Sequence, residues 1–252
     1  MAESISEIKT KFNKLSIKET PVFIKQYETD ERAGVVTLVK KAEKKIREYE
    51  EEIARTDVML KFEKEYGSYS LICGIDEVGR GPLAGPVMAG AVILPKDDKI
   101  LYLNDSKKLS AAKRDELYDV IMERALYVAI GESNCDRIDE INILNATYEA
   151  MKKAISKLPV LPDILLNDAV TIPGVDIKQV PIIKGDAKSA SIAAASIVAK
   201  VTRDRYMEKM DEIYPGYGFA ANKGYGSADH IKALKELGPC PIHRRSFIKN
   251  FV

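Results

Sequence analysis

The sequence contains little histidine or cysteine and no tryptophan: two histidines and three cysteines in 252 residues. His230 and His243 stand in no zinc-binding spacing and beside no nucleophile motif, which argues against a zinc hydrolase and against a histidine-based catalytic triad. The three cysteines form no Cys-x-x-Cys pair. They are typical of free thiols in a reducing cytoplasm rather than of a disulfide framework.

Long apolar runs are also absent. No run approaches the length of a membrane-spanning helix, and the N-terminus lacks the apolar core of a secretory signal. We therefore expect a cytoplasmic protein with no membrane partner. The net charge is +1, so bulk charge does not indicate a nucleic-acid partner, and any such site must come from local placement of Lys and Arg.

The first 68 residues predict a helical N-terminal extension. Apolar residues recur at helical spacing in three stretches, the longest from about Glu31 to Glu65. The other faces of that stretch mix Lys, Arg and Glu, which is typical of a solvated helix that packs by one stripe. Gly67 and Ser68 mark a boundary, so we expect domains 1–68 and 69–252.

After residue 69 the pattern predicts an α/β fold. Short apolar runs predict strands at 71–75, 87–94, 126–131, 164–167 and 180–183. Helical stretches are expected at 110–123, 136–158 and 189–214, and a C-terminal helical tail at 227–237. Strands that first come in a run and then alternate with helices indicate a sheet of mixed direction, flanked by helices.

The most informative segment joins the first two predicted strands. An apolar approach ends in Asp76 and Glu77, and the loop Gly79-Arg80-Gly81 follows. In a regular strand neighbouring side chains point to opposite faces, so both acids can serve one site only where the strand ends. A solvated acidic pair at a strand end is the simpler interpretation, but it leaves the glycine-flanked arginine unexplained.

Two further acids are candidates for the same site. Asp168 follows a short buried strand, at the strand end where open α/β sheets bind ligands, although an acid that only starts a turn would look the same. Asp186 precedes the Ala- and Ser-rich stretch 189–200, where an acid near a helix N-terminus needs no catalytic role. The small side chains of that helix would let it pack closely on the sheet.

Oxygen-donor acids without soft ligands favour a hard cation such as Mg²⁺ or Mn²⁺. Two such ions about 3.5–4 Å apart form the usual clamp for in-line displacement at a phosphodiester. Without a cation, like charges in one site repel, and some carboxylates are pushed toward protonation.

Several motifs together resemble bacterial ribonuclease HII. They are Gly74 to Gly81, Asn104 to Leu109, Lys184-Gly185-Asp186, the Ser191–Lys200 helix, Tyr217-Gly218-Phe219 followed by Lys223-Gly224-Tyr225-Gly226, and His243 to Phe247. The resemblance spans about residues 70 to 250 and keeps the order of motifs in the family, which makes it specific.

The resemblance implies a ribonuclease H-like fold and a metal-dependent endonuclease that cleaves RNA in RNA–DNA hybrids and cuts 5′ of single ribonucleotides in duplex DNA. The products would carry 5′-phosphate and 3′-hydroxyl ends. The metal-binding acids of the family correspond to Asp76, Glu77, Asp168 and Asp186. Gly79, Arg80 and Gly81 would contact the 2′-hydroxyl at the RNA–DNA junction. Tyr225 would stack on a sugar, and we expect a monomer.

The polar loop Asn104, Ser106 and Lys107 has two interpretations. A loop that starts a helix can bind phosphate, or it can simply cap the helix, and the resemblance favours contact with the DNA backbone. Lys200 and Lys223 are weaker phosphate candidates.

Two features depart from the family pattern or lie outside it. Asn222 stands where the family commonly has histidine, and residues 1–66 lie outside the core signature. None of the four acids lies in residues 1–66, so deletion of residues 1–66 is expected to leave the metal chemistry intact.

Two other functions remain as alternatives. A non-catalytic nucleic-acid-binding module is expected to have lost at least one of the four acids. Proofreading-type exonucleases usually carry the first two acids as Asp-x-Glu, whereas Asp76 and Glu77 are adjacent. Arg244 and Arg245 are equally compatible with phosphate binding and with surface charge.

Overall fold

The computed structural model describes residues 3–251, which form two compact units that divide between Asp57 and Val58. The first unit contains α1 (Ile5–Lys14), α2 (Thr20–Tyr27) and most of α3 (Ala33–Met59). A small aromatic and aliphatic core joins the three helices, and it includes the fully buried Ile8 and Val35. The predicted N-terminal helices are therefore present.

The predicted helix from Glu31 to Glu65 is interrupted at Leu60, which separates α3 from α4 (Lys61–Glu65). Leu60 is buried and joins the core of the second unit. The compact units thus divide before Val58, whereas the sequence predicts a boundary at Gly67 and Ser68. The position of the domain boundary stays a proposal.

The second unit is built on a five-stranded sheet with the order β3-β2-β1-β4-β5. The strands are β1 (Ile72–Val78), β2 (Val87–Ile93), β3 (Tyr127–Ser133), β4 (Ile164–Asp168) and β5 (Lys178–Ile182). Strands β1, β2 and β3 pair antiparallel, whereas β4 lies parallel to β1 and to β5. The predicted sheet of mixed direction is therefore confirmed.

Helices cover both faces of this sheet. They are α5 (Ala111–Arg124), α6 (Cys135–Ser156) and α7 (Ala190–Ile213), followed by the C-terminal helices α8 (Phe219–Asn222), α9 (Ala228–Leu237) and α10 (Arg245–Ile248). Two short 3₁₀ turns lie at Ser106–Lys108 and Gly185–Ala187. Within residues 3–251, none of the helices combines the length and apolar character needed to cross a bilayer.

Helix α7 packs unusually close to β1 and β2, as its small side chains predict. A Cβ on Gly74 would lie 2.1 Å from the backbone of Ser191, and one on Gly90 would lie 2.5 Å from the carbonyl oxygen of Ala195. Glycine is therefore required at both strand positions, because any side chain there would push the helix off the sheet. This approach fixes the start of α7, which follows Asp186.

The N-terminus of α7 is also held by α4. Glu63 Oε1 accepts hydrogen bonds from Ser189 Oγ at 2.6 Å and from the backbone N–H of Ser191 at 2.9 Å. Ser189 is itself the N-cap of α7. The end of the N-terminal extension thus caps the helix that carries one wall of the candidate site.

This contact predicts different outcomes for two truncations. A chain that begins at residue 58 keeps Glu63 and should stay folded, whereas a chain that begins at residue 67 loses Glu63 together with the buried Met59 and Leu60. Loss of the cap alone should cost about 0.5–2 kcal/mol of the free energy of unfolding. Circular dichroism during heating measures the difference, with Glu63→Ala in the full chain as the matched control. Equal melting temperatures for the two truncated chains would contradict this role.

Candidate active site

Asp76 and Asp168 meet at the ends of two adjacent parallel strands. Ile75 in β1 is paired with Asn167 in β4, and each acid is the next residue along its strand. Parallel register therefore places the two carboxylates side by side at the C-terminal edge of the sheet. Ligands bind at this edge in open α/β folds.

Asp76 is the most deeply buried of the four candidate acids, with 5% of its surface exposed. Its Oδ1 accepts the backbone N–H of Glu77 at 2.8 Å, and the hydroxyl of Ser196 in α7 lies beside its carboxylate. Burial raises the pKa of Asp76 well above its ordinary value, and the charges of Glu77 and Asp168 raise it further. The free protein therefore holds a proton at this carboxyl unusually tightly.

Glu77 has one weak partner and one empty oxygen. Arg80 Nη1 donates to Oε1 at 3.4 Å, while Oε2 is buried without a hydrogen-bond partner. Burial is the main cause that raises the pKa of Glu77, and the nearby Arg80 charge opposes it. Burial of a carboxylate oxygen without a partner costs free energy. Oε2 is therefore suited to be the ligand of a bound metal ion.

Asp186 lies in the turn after β5 and is 9% exposed. Burial raises its pKa, as do the charges of Asp105 and Asp168, and Asp105 also forms a hydrogen bond with it. Asp168 Oδ1 in turn accepts the N–H of Gly185 at 2.7 Å. The electrostatic coupling therefore links all four candidate acids and adds a fifth, Asp105.

The donor set fits a hard divalent cation. The acids offer only carboxylate oxygens, and the buried Glu77 Oε2 lacks a partner. Among residues 3–251, no three His, Cys, Asp or Glu side chains stand close enough together to form a ready-made metal site. The carboxylates instead bond to protein groups such as the N–H of Gly185 and the guanidinium of Arg80, and each of these bonds leaves the second carboxylate oxygen open to a cation.

A cleft of about 440 Å³ opens beside these acids. Its lining contains most of the predicted substrate-binding residues, together with Lys200: Glu77, Val78, Gly79, Arg80, Gly81, Ser106, Lys107, Lys200 and Tyr225. Asn104 lies outside the lining, and its Oδ1 accepts the N–H of Asp105 within the loop at 2.9 Å. The fold therefore brings together segments that are far apart in sequence.

The two glycines of the predicted junction loop have different surroundings. Gly79 has a φ of +88°, and a Cβ there would lie 2.3 Å from Nε of Arg203. At Gly81 the nearest atom to such a Cβ would be Cε1 of Tyr225 at 3.8 Å, an ordinary contact. Gly79 is thus required by the protein itself, whereas Gly81 leaves open space beside the tyrosine ring.

Tyr225 forms the opposite wall of the cleft and is 43% exposed. Its carbonyl oxygen lies 2.8 Å from His230 Nδ1, and His230 Nε2 lies 3.0 Å from His243 Nε2. Asn222 stabilises the same turn, because its Oδ1 accepts the N–H of Gly224 at 2.8 Å. The two histidines and Asn222 therefore shape the tyrosine turn from behind.

The polar loop at residues 104–108 contacts α7 through Ser106 and lies beside Asp186 through Asp105. Ser106 Oγ accepts a hydrogen bond from Ser196 Oγ at 3.0 Å, and Ser196 also contacts Asp76. Lys107 is exposed, and its positive charge lowers the pKa of both Glu77 and Asp186. Lys107 is therefore an exposed positive charge beside the acidic site.

Sequence reasoning left the role of Arg244 open, and the structure supports neither of the two interpretations. Arg244 is completely buried and bonds to backbone carbonyls of the junction loop, so it is not a surface charge and does not reach the solvent as a phosphate ligand. Arg245 is exposed, and its backbone N–H bonds to Asp139. Asp105 was not singled out from the sequence, although its place between Asn104 and Ser106 in a motif was a usable signal.

Comparison with known proteins identifies the class. The family model described as Ribonuclease HII matches residues 73–250, and the model described as Ribonuclease HII N-terminal domain matches residues 4–67. A ribonuclease HII of Lachnoclostridium phytofermentans is 68% identical over 89% of both chains. One of Clostridioides difficile is 53% identical over 99% of both chains.

Solved structures agree with the sequence relatives. The ribonuclease H2 of Pyrococcus horikoshii OT3 superposes with a TM-score of 0.59 at 28% identity and covers 70% of this chain and 93% of its own. Bst-RNase HIII, at 18% identity and a TM-score of 0.51, shares the fold and covers 66% of this chain and 61% of its own.

The fold is that of a ribonuclease H enzyme, and enzymes of this class depend on a divalent metal. Within that class the chain belongs to the ribonuclease HII family. Residues 4–67 lie outside the core signature but match a domain of the same family.

The raised pKa of Asp76 predicts the sign of a stability change. A carboxyl group whose pKa is raised on folding stabilises the fold at low pH, and this contribution is lost as pH rises from 3.8 through the folded-state value. In EDTA at neutral pH, Asp76→Asn should therefore raise the melting temperature, and the gain should shrink toward about pH 4.

Asp163→Asn is the matched control, since Asp163 accepts the N–H groups of Ser70 and Leu71 outside the acidic site and should give no gain. Differential scanning calorimetry across pH measures both variants. A melting temperature of Asp76→Asn at or below that of the wild type at neutral pH would contradict the buried repulsion.

Proposed function

We propose that this enzyme is an endonuclease that hydrolyses the RNA strand of RNA–DNA hybrids and cuts 5′ of single ribonucleotides embedded in duplex DNA. Its products would carry 5′-phosphate and 3′-hydroxyl ends. This activity would serve ribonucleotide removal from DNA in the cytoplasm, by a monomer. Domains would divide near residue 68.

The observation that best supports the proposal is that one cleft contains both a candidate metal-binding acid and the candidate site for the ribonucleotide. The acidic edge of the sheet reaches the cleft through Glu77, and the opposite part of the cleft lies between Gly81 and the ring of Tyr225. A single 2′-hydroxyl distinguishes ribose from deoxyribose. A narrow slot beside a carboxylate cluster suits a reaction that depends on that one group.

Asp76, Glu77, Asp168 and Asp186 would hold two Mg²⁺ or Mn²⁺ ions. When bound, such ions supply activation of water and stabilisation of charge in an in-line displacement at the phosphodiester. The protein contributes rigid placement, because Asp76 accepts the backbone N–H of Glu77 and Asp168 accepts that of Gly185. Lys107 would balance negative charge where the substrate phosphate enters.

The ribonucleotide would lie against Gly79, Arg80 and Gly81, with Tyr225 stacked on the adjacent sugar. The DNA backbone would continue along Asn104, Ser106 and Lys107. Lys200 is a further candidate in the same cleft, where Asp204 holds its Nζ at 2.6 Å. These cationic and hydroxyl groups would contact phosphates without reading the base sequence.

A labelled DNA duplex with one central ribonucleotide tests the proposal. In Mg²⁺ or Mn²⁺ the enzyme should cut once, on the 5′ side of the ribonucleotide, and EDTA should abolish the cut. The matched all-DNA duplex should stay intact, and an RNA–DNA hybrid should be cut at several sites. Cleavage of the all-DNA duplex, or stepwise shortening from an end, would contradict the proposed reaction.

The two glycines give a paired test of the recognition slot. Gly81→Ala should fold normally, because its Cβ meets only Tyr225 at an ordinary distance. The added methyl would nevertheless narrow the slot, so cleavage at a single ribonucleotide should fall by about tenfold or more, which corresponds to about 1.4 kcal/mol.

Gly79→Ala should instead lower the melting temperature, because its Cβ would collide with Arg203 and its positive φ disfavours alanine. Steady-state kinetics and thermal unfolding on both variants separate the two effects. Normal cleavage of the single-ribonucleotide duplex by a folded Gly81→Ala enzyme would contradict the assignment of the slot.

A further inference from the structure

Two arginines lie beneath the loop that joins β1 to β2, and both have no exposed surface. Arg203, from α7, donates through Nε to the carbonyl of Pro86 at 2.9 Å and through Nη2 to that of Ala84 at 3.0 Å. Its Nη1 donates to the carbonyl of Lys223 at 2.9 Å. One guanidinium thus connects the end of the β1–β2 loop to the turn that carries Tyr225.

Arg244 binds the same loop from the C-terminal segment. Its Nη1 donates to the carbonyl of Arg80 at 2.9 Å, and its Nη2 donates to that of Gly79 at 2.5 Å. Nε and Nη2 both reach the carbonyl of Gly85, at 2.9 and 2.8 Å. The two arginines therefore hold both ends of the loop through its carbonyl groups.

Burial of the two guanidinium groups costs desolvation free energy. Neither forms a salt bridge with any of residues 3–251, and burial lowers the pKa of both, that of Arg244 to about 10. Arginine keeps its proton in proteins, so both groups carry a positive charge at neutral pH. Because a buried charge is retained only with good hydrogen-bond partners, the loop carbonyls must stay in place around each guanidinium.

The first backbone N–H groups of the loop differ from the later ones, because those of Leu83, Ala84 and Gly85 donate to carbonyls of Gly224 and Ile242. Within the described part of the chain, the N–H groups of Gly79, Arg80 and Gly81 have no hydrogen-bond acceptor. The same three residues line the cleft beside Tyr225. Carbonyls bound from below and N–H groups without partners leave these donors available to an oxygen of the substrate.

We propose that Arg203 and Arg244 are positioning residues for ribonucleotide recognition. They hold the loop by its carbonyls, so that its N–H groups face the substrate and Gly81 keeps its distance from Tyr225. This inference rests on the proposed function, since it assumes that the cleft receives a ribonucleotide. Neither arginine touches the substrate in this arrangement.

Arg203→Lys and Arg244→Lys test the proposal, because lysine keeps the charge but cannot span several carbonyls with a planar fork. We expect the ratio of kcat/KM for the single-ribonucleotide duplex to kcat/KM for the RNA–DNA hybrid to fall by about tenfold. In EDTA, the preference for binding that duplex over the all-DNA duplex should also weaken.

Leu117→Ala is the matched control for lost stability. Leu117 is buried in α5, in a core cluster that contains no residue of the loop. This variant should melt earlier while both ratios stay at the wild-type values. If the lysine variants melt earlier and also keep both ratios, the arginines are only structural and the proposal is wrong.

Hydrogen–deuterium exchange on the wild type gives a test that needs no variant. A peptide spanning residues 79–81 should exchange quickly in the free enzyme and become protected by the single-ribonucleotide duplex in EDTA, but not by the all-DNA duplex. Equal protection by both duplexes, or slow exchange in the free enzyme, would overturn the proposal. Failure of the wild type to cut the single-ribonucleotide duplex would instead contradict the proposed function.

Discussion

The close approach of α7 to the sheet is the constraint on which the site depends. Gly74 and Gly90 remove the side chains that would separate helix from strand. From that position α7 supplies Ser196 to Asp76, and one side of the helix further along supplies Lys200 to the cleft and Arg203 to the junction loop. One helix at one distance therefore sets the acidic site and the recognition loop together, and a shift of the helix would disturb both.

The buried carboxylates of the acidic site lower the stability of the fold. Burial and mutual repulsion raise the pKa of Asp76, Glu77 and Asp186, and the partnerless Glu77 Oε2 adds a further cost. A fold usually avoids such an arrangement, since buried like charges favour neutralisation. A bound metal ion would neutralise these charges and remove the cost. Perturbed pKa values of this kind are common at functional sites. The surrounding packing must therefore supply the stability that the site lacks.

Sequence patterns predicted the sheet and its helices because these features are local, and they made the four acids candidates for the same reason. Apolar runs mark the strands, and Asp76 and Asp168 could be assigned to strand ends from their immediate neighbours. The roles of Arg203, Arg244 and Glu63 could not be predicted, since each bonds to groups more than a hundred residues away. No periodicity records which distant carbonyl a buried guanidinium will meet. The break at Leu60 had the same cause, because a contact with the second core ends an otherwise continuous helical pattern.

The two walls of the cleft share the buried charge of Arg203, which also bonds to the carbonyl of Lys223 in the turn before Tyr225. That turn has a second, neutral support: the N–H of Cys240 lies 3.0 Å from His243 Nδ1, and the two histidines meet through their Nε2 atoms. If His230 Nδ1–H donates to the Tyr225 carbonyl, its Nε2 must accept from His243, and every polar atom has a partner with both rings neutral. Burial lowers the pKa of both histidines, that of His243 to about 4, which keeps them neutral at ordinary pH. The two histidines of the chain thus support the turn that carries Tyr225, and in the proposed reaction the acids would carry the chemistry.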